Sequence, residues 1–210
     1  LVATTSVVAT YAPVLFWMRA VQVQILLLVV PFLLAKGAPI TGLRSTLGPA
    51  GRDRLDRMLG SRSAVIVASP AATSLAILAT PWLLYLTPWY VASLQNPVAG
   101  AMTRITLVVV GFGYFYARLQ IDPVPRRYHQ LISVVITIGE SIADGLLGLV
   151  LWLGPLIATS YYMGLHRDWG PGLRTDQSIG AGVLWLLGDV LGLPFLITLM
   201  RALSADERIR

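Results

Sequence analysis

Apolar stretches of roughly 20 residues alternate with short charged segments along this chain, the length a helix needs to cross a hydrocarbon core of about 30 Å. Five of them predict full membrane spans, at 13–35, 64–86, 101–119, 129–153 and 178–200. An earlier apolar segment runs from Leu1 to near Tyr11 without a signal-peptide pattern. It reads as the tail of a helix whose beginning is processed away or not represented. Alternating strand patterns are absent, so the expected architecture is all-α: a polytopic transmembrane bundle forming a single domain over 1–210. Pro81 falls inside the second span and predicts a kink, since it removes a backbone donor.

The charges orient the spans. Twelve of the sixteen basic residues fall in the first connection, the third connection and the tail: Lys36, Arg44, Arg52, Arg54, Arg57 and Arg62, then Arg118, Arg126 and Arg127, then Arg201, Arg208 and Arg210. The other four are Arg19, Arg104, Arg167 and Arg174. The positive-inside rule therefore places the first and third connections and the C-terminus in the cytoplasm of a multi-pass cell (inner) membrane protein. Within the first connection, Arg52 to Leu59 carries apolar residues at helical spacing. It predicts a short helix on the inner leaflet with arginines toward anionic headgroups; a solvated loop with an Asp53–Arg57 pair is the alternative. Trp17, Trp89, Tyr90, Tyr161 and Tyr162 lie where an outer aromatic belt would.

Composition agrees. Hydrophobic residues make up 56% of the 210 and charged residues only 12%, with a mean hydropathy of +0.72, whereas soluble domains carry about 25% charged residues. The net charge of +6 sits at span ends rather than in a stripe, which argues against nucleic acid and for the lipid bilayer as partner. Cysteine is absent, excluding disulfides and thiolate metal sites. His129 reads as interfacial and His166 as solvated. Gly111-x-Gly113 is no phosphate loop, because no strand precedes it.

Three acids fall inside predicted spans: Glu140, Asp144 and Asp189. Glu140 and Asp144 share one helix face. A carboxylate facing lipid costs about 2.5–3.5 kcal/mol even on the mildest scale, so these acids must face the interior, be protonated or pair with a cation. Arg19 and Arg104 are the candidate partners, completing an expected buried charge cluster. Ion pairing, a proton or cation path, and a remodelled metal site all stay open. Gly139-xxx-Ala143 with Gly145 and Gly148, and Gly188-xxx-Gly192, are small-residue faces for close helix packing. Gln22 and Gln24 are expected to hydrogen-bond across the bundle.

The order of several short motifs resembles the CtaG-type cytochrome c oxidase assembly factors. They are Leu-Leu-Ala-Lys-Gly-Ala-Pro at 33–39, Ser69-Pro70, Pro88-Trp89-Tyr90 with Asn96-Pro97, Ile-Asp-Pro-Val-Pro-Arg-Arg at 121–127, and Asp-Gln-Ser-Ile-Gly-Ala-Gly-Val-Leu-Trp at 176–185. Gln22, Asp122, Pro123, Pro125, Asp176, Gln177 and Trp185 carry the resemblance. It implies a polytopic protein that helps supply copper to the oxidase through histidines on the outer half of the bundle. Those histidines would fall near Arg19, Val23, Arg104, Thr106 and Asp144, and none is histidine here. Arginine cannot replace a neutral imidazole as ligand. No metal or cofactor is therefore expected, with copper implied by resemblance alone. The expected function is an assembly factor or structural accessory subunit of a redox, electron-transfer membrane complex, contacting other membrane subunits and catalysing nothing. The alternative is a copper or proton transporter-like protein using the buried acids.

Overall fold

A computed structural model gives the fold of residues 5–124 and 130–186, with the single positions Val190 and Ile197 beyond them; at 130–138, 141 and 144 it describes the backbone alone. Every regular element among the described residues is helical. After a short helix α1 (Val7–Tyr11) comes the long α2 (Phe16–Lys36). The first connection folds into α3 (Pro39–Thr46), α4 (Pro49–Leu59) and α5 (Arg62–Val67). Next come α6 (Pro70–Leu86), α7 (Trp89–Gln95), α8 (Pro97–Leu119), α9 (Gln130–Leu153) and α10 (Thr159–Gly164). Residues 173–186 form α11.

Local chemistry sets several boundaries. The apolar pattern predicts the second span from residue 64, but Ser69 interrupts it: its hydroxyl accepts from the Ala72 N–H at 3.3 Å, and Pro70 opens α6 at a position needing no donor. Asn96 does the same for α8, accepting from Val98 and Ala99, so that helix begins at Pro97 rather than 101. The short helix expected at 52–59 is present and starts at Pro49. Pro81 lies inside α6 without ending it, and the sharp bend, 72°, comes afterwards between α6 and α7.

Among the described residues two helices, α2 and α8, are long and apolar enough to cross a membrane, and three if bent α6 and α7 count as one span. That is fewer than the five full spans expected. α9 has the length, 24 residues, and the expected fifth span, 178–200, leaves the described residues after 186.

α8 is the central helix, packed against α2, α6 and α7, while α9 lies against α6. Its approach to α2 depends on two residue choices. Pro31 lacks the N–H that would bind the Leu27 carbonyl, and its ring crowds that carbonyl. The turn widens to π-helix over Ile25–Val29. Gly111 of α8 sits directly on the spot: an added Cβ would collide with the Leu27 oxygen and lie 2.6 Å from Pro31 Cγ. The glycine pair that is no phosphate loop is thus half packing contact, since a Cβ on Gly113 would meet nothing among the described residues.

Candidate functional site

Two of the implied ligand positions, Arg19 and Val23, lie in the first part of α2. Arg19 is buried there, 3% exposed. Its Nη1 donates to Gln22 Oε1 at 2.6 Å and its Nη2 to Ser93 Oγ at 2.9 Å. Ser93 in turn donates to the Tyr90 carbonyl at 2.7 Å. Phe16, Tyr85, Tyr90 and Tyr162 pack around this group, with the Tyr90 and Tyr162 hydroxyls 2.7 Å apart. Burial pushes the Tyr162 hydroxyl, in α10, above the usual phenol range. Arg19 Nε and the Tyr85 hydroxyl are buried without a hydrogen bond among the described residues. The centre is thus a cation held by neutral acceptors, and no carboxylate reaches it among the described residues. Gln24 behaves as expected, donating across the bundle to the Leu184 carbonyl at 2.8 Å.

A second buried cluster lies at the other end of α2. Arg118, read from sequence as part of a cytoplasmic connection, is fully buried at 0% exposure. It sits 2.7 Å from Glu140 Oε1 and also donates to the Ser74 hydroxyl. The Tyr114 hydroxyl donates to Glu140 Oε2 at 2.6 Å, and the guanidinium lies 4.3 Å from the Tyr114 ring centre. Glu140 is therefore paired, with an arginine that the charge pattern places outside the bundle. The helical spacing of Tyr114 and Arg118 is the available signal: four residues apart, they share a face.

Among the motif residues, Asp122, Asp176 and Gln177 close the bundle rather than line a site. Asp176 is 1% exposed. Its two carboxylate oxygens accept the Phe16 N–H at 3.1 Å and the Trp17 N–H at 3.0 Å, while Arg167 Nη2 stands 3.4 Å away. α2 has no side-chain cap of its own, Leu15 occupying that position, so α11 supplies it. Gln177 ties the end of α9 to the turn beyond it, donating to the Leu151 and Pro155 carbonyls and accepting from the Ile157 N–H. Gly180 must lack a Cβ because the Phe16 ring and the Trp17 backbone press on it. Asp122 repeats the device for α3, accepting from the Ile40 N–H (3.1 Å), the Thr41 N–H (2.8 Å) and the Thr41 hydroxyl (2.7 Å). The next residue's carbonyl, Pro123, accepts from the Tyr116 hydroxyl.

Other expected residues fall apart or lie elsewhere. Arg104 is half-buried and makes no ion pair among the described residues. A Cβ on Gly139 would meet nothing among those residues, whereas Gly145 and Gly148 close on Trp185 of α11. Ala143 is half-buried on α9. The Asp144 side chain, and Pro125, His129, Gly188, Asp189 and Gly192, lie outside the described residues.

Residues 1–206 match the family described as cytochrome c oxidase caa3 assembly factor. The chain belongs to that family. Among curated proteins it is similar to uncharacterized proteins of Mycobacterium bovis and Mycobacterium tuberculosis, each 22% identical over 209 residues. The aligned part covers 96% of this chain and 32% of each relative. A Mycobacterium leprae protein is also 22% identical, over 94% of this chain and 31% of its own length. The chain thus spans about a third of the curated relatives it matches. No solved structure matches.

Copper is the group to test, because the resemblance implies it. Among the described residues no three His, Cys, Asp or Glu side chains converge. At the implied positions Arg19 offers only N–H donors, Val23 is a core residue at 1% exposure, and Arg104 is a second cation. This donor set does not fit copper, which takes imidazole or sulfur ligands.

Proposed function

We propose that the chain is the membrane-embedded helical core of an oxidase assembly factor, acting as a scaffold or accessory subunit of a redox complex rather than as a copper donor or an enzyme. It crosses the membrane five times, at the five apolar spans read from the sequence. The α2 start and the α10 side face outward, and the C-terminus is cytoplasmic. The observation that carries the reading is Arg19: a fixed guanidinium, tied to Gln22 and Ser93, stands at an implied ligand position. Family membership supports the oxidase connection. The exposed apolar stripe Val98, Met102, Ile105 and Val109 along α8 supports a surface for lipid or neighbouring subunits.

The transporter-like alternative needs free acids along a path. Glu140 is engaged by Arg118 and Tyr114 on its two oxygens, which favours the scaffold. The test is mild-detergent purification of the native complex with partner mass spectrometry and copper analysis. Oxidase subunits should co-purify, with less than one chelation-resistant copper per chain. Stoichiometric copper that survives chelation sinks the proposal.

A further inference from the structure

Between α4 and α5 lies an open cavity of about 610 Å³ whose lining divides by chemistry. Arg54, Arg57, Ser61 and Ser63 supply its polar lining, and Met58, Ala64 and Val67 its apolar lining. Arg54 and Arg57 are three residues apart and share a face of α4. Two neighbouring cations are already engaged: Arg44 pairs with Asp56 at 2.7 Å, and Arg52 donates to the carbonyls of Arg44 and Leu47. Arg54 and Arg57 have no ion pair among the described residues, and Arg57 donates only to the Asp53 carbonyl, at 3.3 Å through Nε. The Ser61 and Ser63 hydroxyls lie 3.1 Å apart. Beside these donors, Met58 is 63% and Val67 70% exposed.

We propose that this cavity is a binding site for one anionic phospholipid, its phosphate on Arg54 and Arg57, its headgroup hydroxyls at Ser63, and an acyl chain along Met58 and Val67. The site rests on the membrane reading above, which brings α4 and α5 to an anionic leaflet. Two arginine forks bind a phosphate diester, and they favour an anionic lipid because a zwitterionic headgroup brings its own cation beside theirs. The exposed apolar wall separates a lipid from a soluble phosphate, which has no use for it.

The test is native mass spectrometry of the purified full chain in neutral detergent, titrated with phosphatidylglycerol, phosphatidylcholine or inorganic phosphate. Phosphatidylglycerol should bind one per chain and on the order of tenfold tighter than phosphatidylcholine. Arg54→Gln with Arg57→Gln should abolish that preference, and Arg62→Gln, outside the cavity, should keep it. Ala64→Trp leaves both arginines and fills the apolar wall, so it should also abolish binding. Equal binding of the two lipids, an unchanged double variant, or full competition by inorganic phosphate overturns the site. Carbonate washing of native membranes separates the two readings. A chain stripped from membranes refutes the membrane reading, whereas a resistant chain without lipid preference refutes only this site.

Discussion

Asp176 caps a helix that begins 160 residues before it, its carboxylate accepting the Phe16 and Trp17 N–H groups. Removing a buried acceptor that serves one buried and one half-buried donor leaves both without it, at about 1–3 kcal/mol for a buried one and less for the other. Asp176→Ala should therefore destabilise the protein by roughly 2–4 kcal/mol in detergent thermal unfolding, while Asp176→Asn, which keeps one acceptor oxygen, should lose less. Equal stability of wild type and Asp176→Ala would show that the cap is not needed.

The Arg118–Glu140 pair predicts strong non-additivity. Removing one partner strands a buried charge, at about 3–5 kcal/mol, while an apolar double replacement can be nearly neutral. Arg118→Met should lower stability sharply, and Arg118→Met with Glu140→Leu should recover most of the loss. A double-mutant cycle with additive energies would contradict the pairing.

Gly111 and Gly113 make a matched control. Gly111→Ala forces a methyl into the Leu27 carbonyl and should cost at least about 1–3 kcal/mol, or shift α8 away from α2. Gly113→Ala meets nothing among the described residues and should be neutral or slightly stabilising, since alanine favours helix. Spin-label distances between the two helices would register the shift, and indistinguishable stabilities would argue against the close approach.

Asp144 carries the proposal that it is ionised and paired with Arg19 or Arg104. Asp144→Asn should then destabilise the bundle, and a partner Arg→Met should restore much of the loss. Arg19 is already bonded through both Nη atoms, so rescue through Arg104 is the stronger expectation. No rescue by either arginine would return Asp144 to the candidates for a proton site.

Orientation is testable with single cysteines in this cysteine-free chain. Cysteine at Ser61 should resist an impermeant outer label in intact cells, and cysteine at exposed Gln95 should react. Ser93 would be a poor choice, being buried against Arg19. The reverse labelling pattern refutes the orientation.

Helix-forming stretches are legible in the sequence because apolar runs and cap residues such as Asn96 act locally. The motif aspartates are legible as resemblance but not as caps, since their partners at Phe16 and Ile40 are set by tertiary contact. Arg118 is misplaced by the charge pattern for a related reason. Charge near a helix end reads as solvated, and only the approach of Glu140 and Ser74 lets it be buried. The π turn at Ile25–Val29 arises from Pro31, yet its meeting with Gly111 depends on a second helix.

The remote cap also orders events in time. A ribosome making this chain delivers Phe16 and Trp17 long before Asp176, so α2 enters its surroundings with its leading amides unserved. The first turn of α2 is then completed only after α11 has begun to be made. A truncated product ending before residue 176 leaves that end open to water, chaperones or another chain's acidic side chain, and quality control would have a defined feature to recognise.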